Sequence, residues 1–213
     1  MAAIAVVFGL TLSIARAREK DTRQANPTII AAGELKAASD FAAIRDQRER
    51  AVALFTEAGK VLQSPRCLNC HPVERAPTQG NDLRPHNPPV AGGEDGHGVA
   101  GLPCVSCHGS SNFDIPERNP TIQSIPGNLK WALAPRSMAW QGQSLASICQ
   151  QLKDPRRNGG RSLAQIHEHV AHDPLVAWGW QPGAGRDPAP GTQETLGTLI
   201  AAWIAAGAHC PTS

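Results

Sequence analysis

The chain contains no Tyr, and its five Trp and four Phe are the only large aromatic residues among 213. Aromatic side chains normally supply much of the buried area of a globular core. The 20 Gly and 18 Pro predict many turns. The sequence therefore indicates a loop-rich fold whose protein core has few bulky fillers, so that another component is expected to complete it.

The chain also lacks an excess of charge of either sign. Lys and Arg number 20, Asp and Glu number 18, and charged residues make up 18% of the sequence. A basic nucleic-acid-binding domain needs a clear surplus of cations, and a disordered acidic or basic tail needs a higher charged fraction. Composition excludes both classes, together with collagen, coiled coils and polytopic membrane proteins.

The longest apolar run, Ala2–Ile14, is followed by the small-x-small site 15–17 and then by charged residues. This pattern predicts a secretory signal peptide over residues 1–17, although no Lys or Arg precedes the run. The run is shorter than the roughly 20 residues that span a bilayer, so an uncleaved anchor is the weaker alternative. We expect a periplasmic protein with no membrane span after cleavage, a flexible segment over residues 18–38 and one domain over residues 39–213.

Apolar residues recur at helical spacing from Ser39 onward and predict an amphipathic helix over about Asp40–Gln63. The segment 72–103 holds six Pro and six Gly and should be irregular. Three further helices are expected over residues 144–153, 162–171 and 192–206. Strand alternation is not convincing anywhere, so the expected fold class is mainly α with much irregular loop and few or no strands.

Two five-residue segments share one pattern, Cys-x-x-Cys-His, at 67–71 and 104–108. This is the signature of c-type haem attachment. Two Cys separated by two residues lie on one side of a helical turn, where both sulfurs can reach the vinyl groups along one porphyrin edge, and the next His binds iron. The sequence predicts two covalently bound haem c groups. Their attachment residues are Cys67, Cys70, His71, Cys104, Cys107 and His108, with His71 and His108 as proximal iron ligands.

Other uses of these Cys fit less well. A zinc site pairs two Cys-x-x-Cys units across about 15–20 residues, whereas 33 residues lie between Cys70 and Cys104. A thioredoxin-like pair needs a preceding strand, and disulfides within four-residue segments are improbable. Cys149 and Cys210 remain, and an even remainder in an oxidising compartment usually pairs. We expect a disulfide there, with two unpaired buried thiols as the alternative, because its geometry cannot be read from sequence.

The distal iron ligands are less constrained. Met138 is the only Met after the signal peptide and lies in an irregular stretch after a Pro, as in many c-type cytochromes. Its alternative role is apolar packing beside Trp140. The further distal candidates, in order of preference, are His172 or His169, and then His86 or His97.

The two motifs begin 37 residues apart, too close for two tandem single-haem domains. One compact dihaem cytochrome c-like domain is therefore expected. Segments across most of residues 60–211 resemble a family of small exported bacterial dihaem proteins known as isoquinoline 1-oxidoreductase subunits. Besides the two haem motifs, these segments are Arg84–Pro89, Asp95–Gly98, Met138–Gly142, Lys153–Pro155, Asn158–Gly160, His169–Asp173, Trp178–Trp180 and Pro182–Gly185. The resemblance implies an electron acceptor that works beside a molybdenum hydroxylase-like oxidoreductase, and it carries over the haem-attachment residues but no distal ligand.

The leading functional hypothesis is a periplasmic dihaem c-type cytochrome that passes single electrons from a dehydrogenase to a respiratory acceptor, with no nucleic-acid partner. In this interpretation the chain is an electron-transfer subunit and not itself the enzyme. One alternative is a haem peroxidase or small-ligand enzyme with an open iron site. Another is a haemless metal-binding or scaffold module.

Overall fold

A computed structural model describes residues 33–109, 131–183 and 185–212. The predicted signal peptide, residues 1–17, lies outside the described residues. Within these ranges the chain forms α-helices joined by long irregular segments, with only two-residue strands. The expected mainly helical, loop-rich fold is confirmed at this level.

The elements follow in chain order. The α-helices are α1 (Gln47–Leu62), α2 (Pro65–Leu68), α3 (Leu145–Lys153), α4 (Leu163–His172), α5 (Pro174–Ala177) and α6 (Gln193–Ala205). Short 3-10 helices occupy Ala38–Phe41, Cys104–Ser106, Arg136–Met138 and Trp178–Trp180. Strand β1 (Thr78–Gln79) pairs antiparallel with β2 (Arg84–Pro85), and β3 (Gly98–Val99) pairs antiparallel with β4 (Leu102–Pro103).

Capping residues fix the starts of α3, α4 and α6. The side chains of Ser144, Ser162 and Thr192 each accept a hydrogen bond from the backbone N–H three residues later. This satisfies a donor that the first helical turn leaves unpaired. These three helices are confirmed to within one residue.

The first predicted helix was placed too early. Residues Ala38–Phe41 form a 3-10 helix, and α1 begins only at Gln47, because the carboxylate of Asp46 accepts from the N–H of Glu49 and caps it. Phe41 is buried and continues the apolar spacing across this break. Periodicity alone therefore could not reveal the separate cap.

Helix α6 packs against α1 and α4, and α3 contacts both α1 and α4. The core is mostly aliphatic, with one aromatic pair, Phe55 and Trp203, at a centroid distance of 4.8 Å. Gly197 of α6 lies so close to α4 that an added Cβ would meet the Cβ of Ala171 at 2.7 Å. A larger residue at position 197 would push α4 away from the body.

The expected disulfide between Cys149 and Cys210 is confirmed, with an S–S distance of 2.02 Å. It joins α3 to the chain beyond α6 and closes a loop between residues 61 positions apart. In the chain-entropy model such a cross-link contributes about 4 kcal/mol.

Residues 33–36, at the end of the segment expected to be flexible, contact the body. The carbonyl of Gly33 accepts from the N–H of Gly191, and the N–H of Lys36 donates to the Glu57 carboxylate at 2.9 Å. The earlier part of residues 18–38 lies outside the described residues. Among the helices that the structure describes, none is long and apolar enough to cross a bilayer.

Candidate functional site

The first Cys-x-x-Cys-His motif follows directly from the end of α1. Pro65 occupies the first turn of α2, where its missing N–H costs nothing. Cys67 lies within α2, and its carbonyl accepts from the N–H groups of both Cys70 and His71 at 3.1 Å. The motif therefore continues one helical turn, which is the local structure that its spacing predicted.

The His71 imidazole is held on two sides. Its ring stacks on Trp140 with centroids 3.5 Å apart and planes at 8°. Its Nδ1 lies 2.6 Å from the carbonyl oxygen of Met138, and because a carbonyl only accepts, Nδ1 carries the proton. Desolvation lowers the pKa of His71 to about 4, so the ring is neutral at neutral pH. The remaining lone pair is on Nε2, which is the arrangement of a metal-binding His oriented by a backbone carbonyl.

The two thiols of this motif are not reactive thiolates. Burial raises the pKa of Cys67 to about 12 and that of Cys70 to about 11. A thioredoxin-like dithiol needs one thiol with a lowered pKa. The environment of Cys67 and Cys70 therefore argues against redox dithiol chemistry.

The second motif repeats the backbone pattern in a different setting. Cys104 begins a 3-10 helix, and its carbonyl accepts from the N–H of Cys107 at 3.2 Å and from that of His108 at 3.0 Å. The His108 ring stacks on Trp131 with centroids 4.2 Å apart and planes at 1°. Val105 and Cys107 are exposed. Both motifs thus present an imidazole stacked on Trp, but the second one lies at the surface.

A short segment ties the two motifs together. The N–H of Ala134 donates to the carbonyl of Cys70, and the N–H of the preceding Leu133 donates to the carbonyl of Gly96. Gly96 also accepts a weak hydrogen bond from the Cys104 thiol at 3.9 Å. A charge on Cys104 contributes to the raised pKa of Cys70, after burial. The two motifs are therefore neighbours in one body.

Three distal candidates, Met138, His169 and His172, were compared with the position of the first motif. Met138 is buried in the core, and its carbonyl is the group that holds Nδ1 of His71. His169 on α4 has its Nδ1 2.9 Å from the Asp173 carboxylate, and its charge contributes to the low pKa of His71. His172 is exposed, with Nε2 3.9 Å from Glu168. Of these candidates, Met138 contacts the His71 ring directly, and His169 acts on the pKa of His71 only through its charge.

The remaining two candidates belong to the long loop. The ring of His86 lies 6.0 Å from that of His108, at an interplanar angle of 68°. Its Nδ1 is 2.8 Å from the carbonyl of Pro88, and because a carbonyl only accepts, Nδ1 is the donor in this hydrogen bond. His97 is exposed, and its backbone N–H donates to Asp95. The structure brings the ring of His86 to that of His108, whereas His97 adjoins the second motif through its backbone, since its carbonyl accepts from the N–H of Cys104 at 2.9 Å.

The residues around both motifs fit a covalently attached haem. Among the described residues, buried donors without a hydrogen-bond partner include Nε and Nη1 of Arg66 and the Nε1 atoms of Trp140 and Trp178. Orphaned donors of this kind suit a group that brings carboxylates with it. At the second motif, Leu102 and Val105 are exposed by 45% and 43%, and they offer apolar surface to a flat ring.

Sequence reasoning did not find the two stacking pairs or the burial of Arg66. The sequence indicates Trp140 only as a packing neighbour of Met138. Stacking joins residues that are far apart in the chain, so no local spacing could show it. Comparison with models of known protein families, with curated proteins and with solved structures finds no match.

Proposed function

We propose that the protein is an exported dihaem c-type cytochrome that transfers single electrons. The observation that carries the proposal is the repeated arrangement of the two motifs. Each places two Cys on one helical turn and holds the following imidazole flat against a Trp, at 3.5 Å for His71 and 4.2 Å for His108. A redox dithiol does not need a braced imidazole, and one four-ligand zinc site would leave two of these four Cys and two His unused.

The chain's residues divide the work between attachment and orientation. Cys67 and Cys70 would hold one macrocycle, and Cys104 and Cys107 the other. The haem iron supplies the one-electron ferric–ferrous couple when bound, and the protein tunes it through ligands and burial. At the first site, the hydrogen bond from Nδ1 of His71 to the Met138 carbonyl fixes the orientation of the ring. It also makes Nε2 more basic, so that Nε2 would donate its electron pair more strongly to a bound iron.

The ring contact with His108 favours His86 as a distal ligand, and the electrostatic influence on His71 favours His169. Two imidazoles that share one metal ion have ring centres roughly 6 Å apart, given a metal–nitrogen bond of roughly 2 Å. The 6.0 Å spacing of His86 and His108 matches that distance. Met138 is less suited to the first iron, because its carbonyl approaches His71 from the proximal side.

The physiological reaction follows from the resemblance and from the neighbouring motifs. A periplasmic dehydrogenase of the molybdenum hydroxylase-like kind would deliver electrons, and a respiratory carrier would remove them. Haems held by the neighbouring motifs, through Cys67 with Cys70 and Cys104 with Cys107, would supply a one-electron relay, since electrons tunnel efficiently only over short distances. The protein therefore acts as an electron-transfer subunit beside the enzyme.

The test is spectroelectrochemistry of the full chain, matured in a bacterium that attaches haem c. Two one-electron waves are expected. The pair of changes Cys67→Ser and Cys70→Ser should remove one wave, and Cys104→Ser with Cys107→Ser should remove the other. The matched control is Cys149→Ser with Cys210→Ser, which should keep both waves. Irons that stay silent across the biological range of potentials would contradict the proposal.

A further inference from the structure

Arg66, immediately before the first motif, is a buried cation with unused donors. It is only 3% exposed. Its Nη2 donates to the carbonyl of Gly80 at 2.7 Å and to Oδ1 of Asn81 at 2.9 Å. Its Nε and Nη1, which carry three N–H groups, have no hydrogen-bond partner among the described residues. Buried donors left in this state are destabilising and rare in native proteins, so a missing acceptor is indicated.

Further cations surround this guanidinium. Desolvation and then the charge of Arg186 lower the pKa of Arg66, and Arg84 acts on Arg186 in the same way. The facing carboxylates are Asp187, which accepts from the side chain of Asn81, and Asp82, which pairs with Arg84 at 2.9 Å. Neither carboxylate forms a hydrogen bond with Arg66. The three guanidinium groups therefore carry one more charge than the two carboxylates neutralise. One further negative charge would balance this cluster.

A second orphaned donor lies beside Arg66. A Cβ placed on Gly179 would be 3.7 Å from the side-chain Cβ of Arg66, so the two residues are neighbours. The adjacent Trp178 has a buried Nε1 without a partner. Its ring meets Trp131 edge-on at 5.4 Å, and Trp131 stacks on His108. The orphaned donors therefore lie between the first motif and the Trp that supports the second.

We propose that Arg66, with Arg186 and Trp178, binds a carboxylate or a similar oxyanion. A guanidinium and an indole N–H are ordinary donors for such a group. One source is a propionate of the second haem. The propionates of the first haem leave the porphyrin edge opposite its thioether bonds, whereas Arg66 directly precedes Cys67. The other source is a free anion, represented by inorganic phosphate. In its haem form the inference rests on the proposed function.

The first arm of the test measures the potential of each haem in the full holoprotein between about pH 5 and pH 9. Arg66→Gln should lower the potential of one haem and make it pH-dependent, because an unpaired propionate then titrates in this range. The matched control is Arg156→Gln, at an Arg that is 90% exposed and pairs only with Asp154. Adding phosphate to the wild type should change nothing if the acceptor is a propionate.

The second arm follows thermal unfolding with added phosphate. A saturable rise in Tm that Arg66→Gln abolishes and Arg156→Gln keeps would assign the site to a free anion. If Arg66→Gln does not accumulate, Arg186→Gln and Trp178→Phe replace it, since each removes a donor with less loss of packing. Variants that match the control in both arms would overturn the inference.

The two proposals fail in different ways. If covalent haem is present but Arg66→Gln changes neither the haem potentials nor phosphate binding, only the proposed anion site is contradicted. A chain that carries no haem sinks the proposed function, and the phosphate titration of that chain then decides the anion site by itself.

Discussion

The two Cys-x-x-Cys-His motifs share one backbone pattern but differ in what supports them. The first continues from α1 through α2, and its imidazole is braced by buried Trp140 and the Met138 carbonyl. The second lies on a 3-10 helix after a hairpin of two-residue strands, and three of its five residues are exposed. The comparison shows that the Cys-x-x-Cys-His spacing sets the local turn. The surrounding fold determines how rigid each site is and how far water is excluded from it.

The largest difference between the two sites is expected in the stability of variants that have lost the Cys pair of one motif. Cys67→Ser with Cys70→Ser should keep the second haem but lower the stability of the fold much more than the other pair does, because the first motif lies against α1 and the core. Cys104→Ser with Cys107→Ser should leave a folded chain with one haem. Far-UV circular dichroism and resistance to protease measure both outcomes. Equal loss of structure in the two pairs would remove the distinction between a core site and a surface site.

The stacking Trp residues should differ in the same direction. Trp140 is 4% exposed, and Trp140→Ala should lower the free energy of unfolding by about 3–5 kcal/mol, the usual cost of truncating a buried aromatic. Trp131 is only partly buried, so Trp131→Ala should cost roughly half as much or less. Urea unfolding of the two holoproteins measures both values. A larger cost at Trp131 would reverse the comparison.

Acid stability should separate the sites further. Burial lowers the pKa of His71 from 6.5 to about 4. Protons should therefore displace a metal from His71 only at a lower pH than they would displace it from an exposed His. The stability that neutral His71 contributes is fully present above pH 6.5 and is lost as the pH falls towards 4. Trp140→Ala admits water and should raise the pH at which the first haem loses its ligand.

The measurement for this prediction is a pH titration of the absorption spectrum. Trp131→Ala is the control, since it leaves the surroundings of His71 intact. If the pH at which half of the first haem has lost its ligand is the same in both variants, burial by Trp140 does not set the pKa of His71.

Replacing a distal-ligand candidate should change the structure least, but it should change the electron paramagnetic resonance spectrum most clearly. We expect two low-spin ferric signals in electron paramagnetic resonance. His86→Ala should convert only the second haem to high spin, and His169→Ala only the first, while His97→Ala and His172→Ala serve as controls. Met138→Leu should leave both signals in place. A high-spin iron in the unaltered protein that binds cyanide quickly would favour the peroxidase alternative instead.

Local patterns in the sequence predicted the parts of the fold that depend on neighbouring residues. The caps at Ser144, Ser162 and Thr192 fixed three helices, because a cap and its target N–H lie three residues apart. The helical turns of the two Cys-x-x-Cys-His motifs were predictable for the same reason, since their hydrogen bonds join residues three and four apart. The start of α1 was missed because Phe41 keeps the apolar period through a break that Asp46 causes.

Contacts between distant residues could not be predicted in this way. The approach of His86 to His108 and the stacking of Trp140 on His71 depend on how the loops return to the body. The burial of Arg66 was hidden too, because a charged residue at a helix start usually faces water. Sequence therefore identified the candidate iron-binding His of each motif but not the groups that would tune the iron.

The most direct test of the account is the intact mass of the mature protein, measured under denaturing conditions that strip every non-covalent ligand. The account predicts the polypeptide plus two haems, and one haem fewer when either Cys pair, 67 with 70 or 104 with 107, is changed to Ser. A bare polypeptide mass with four free thiols, or one that loses a metal ion on denaturation, would contradict it.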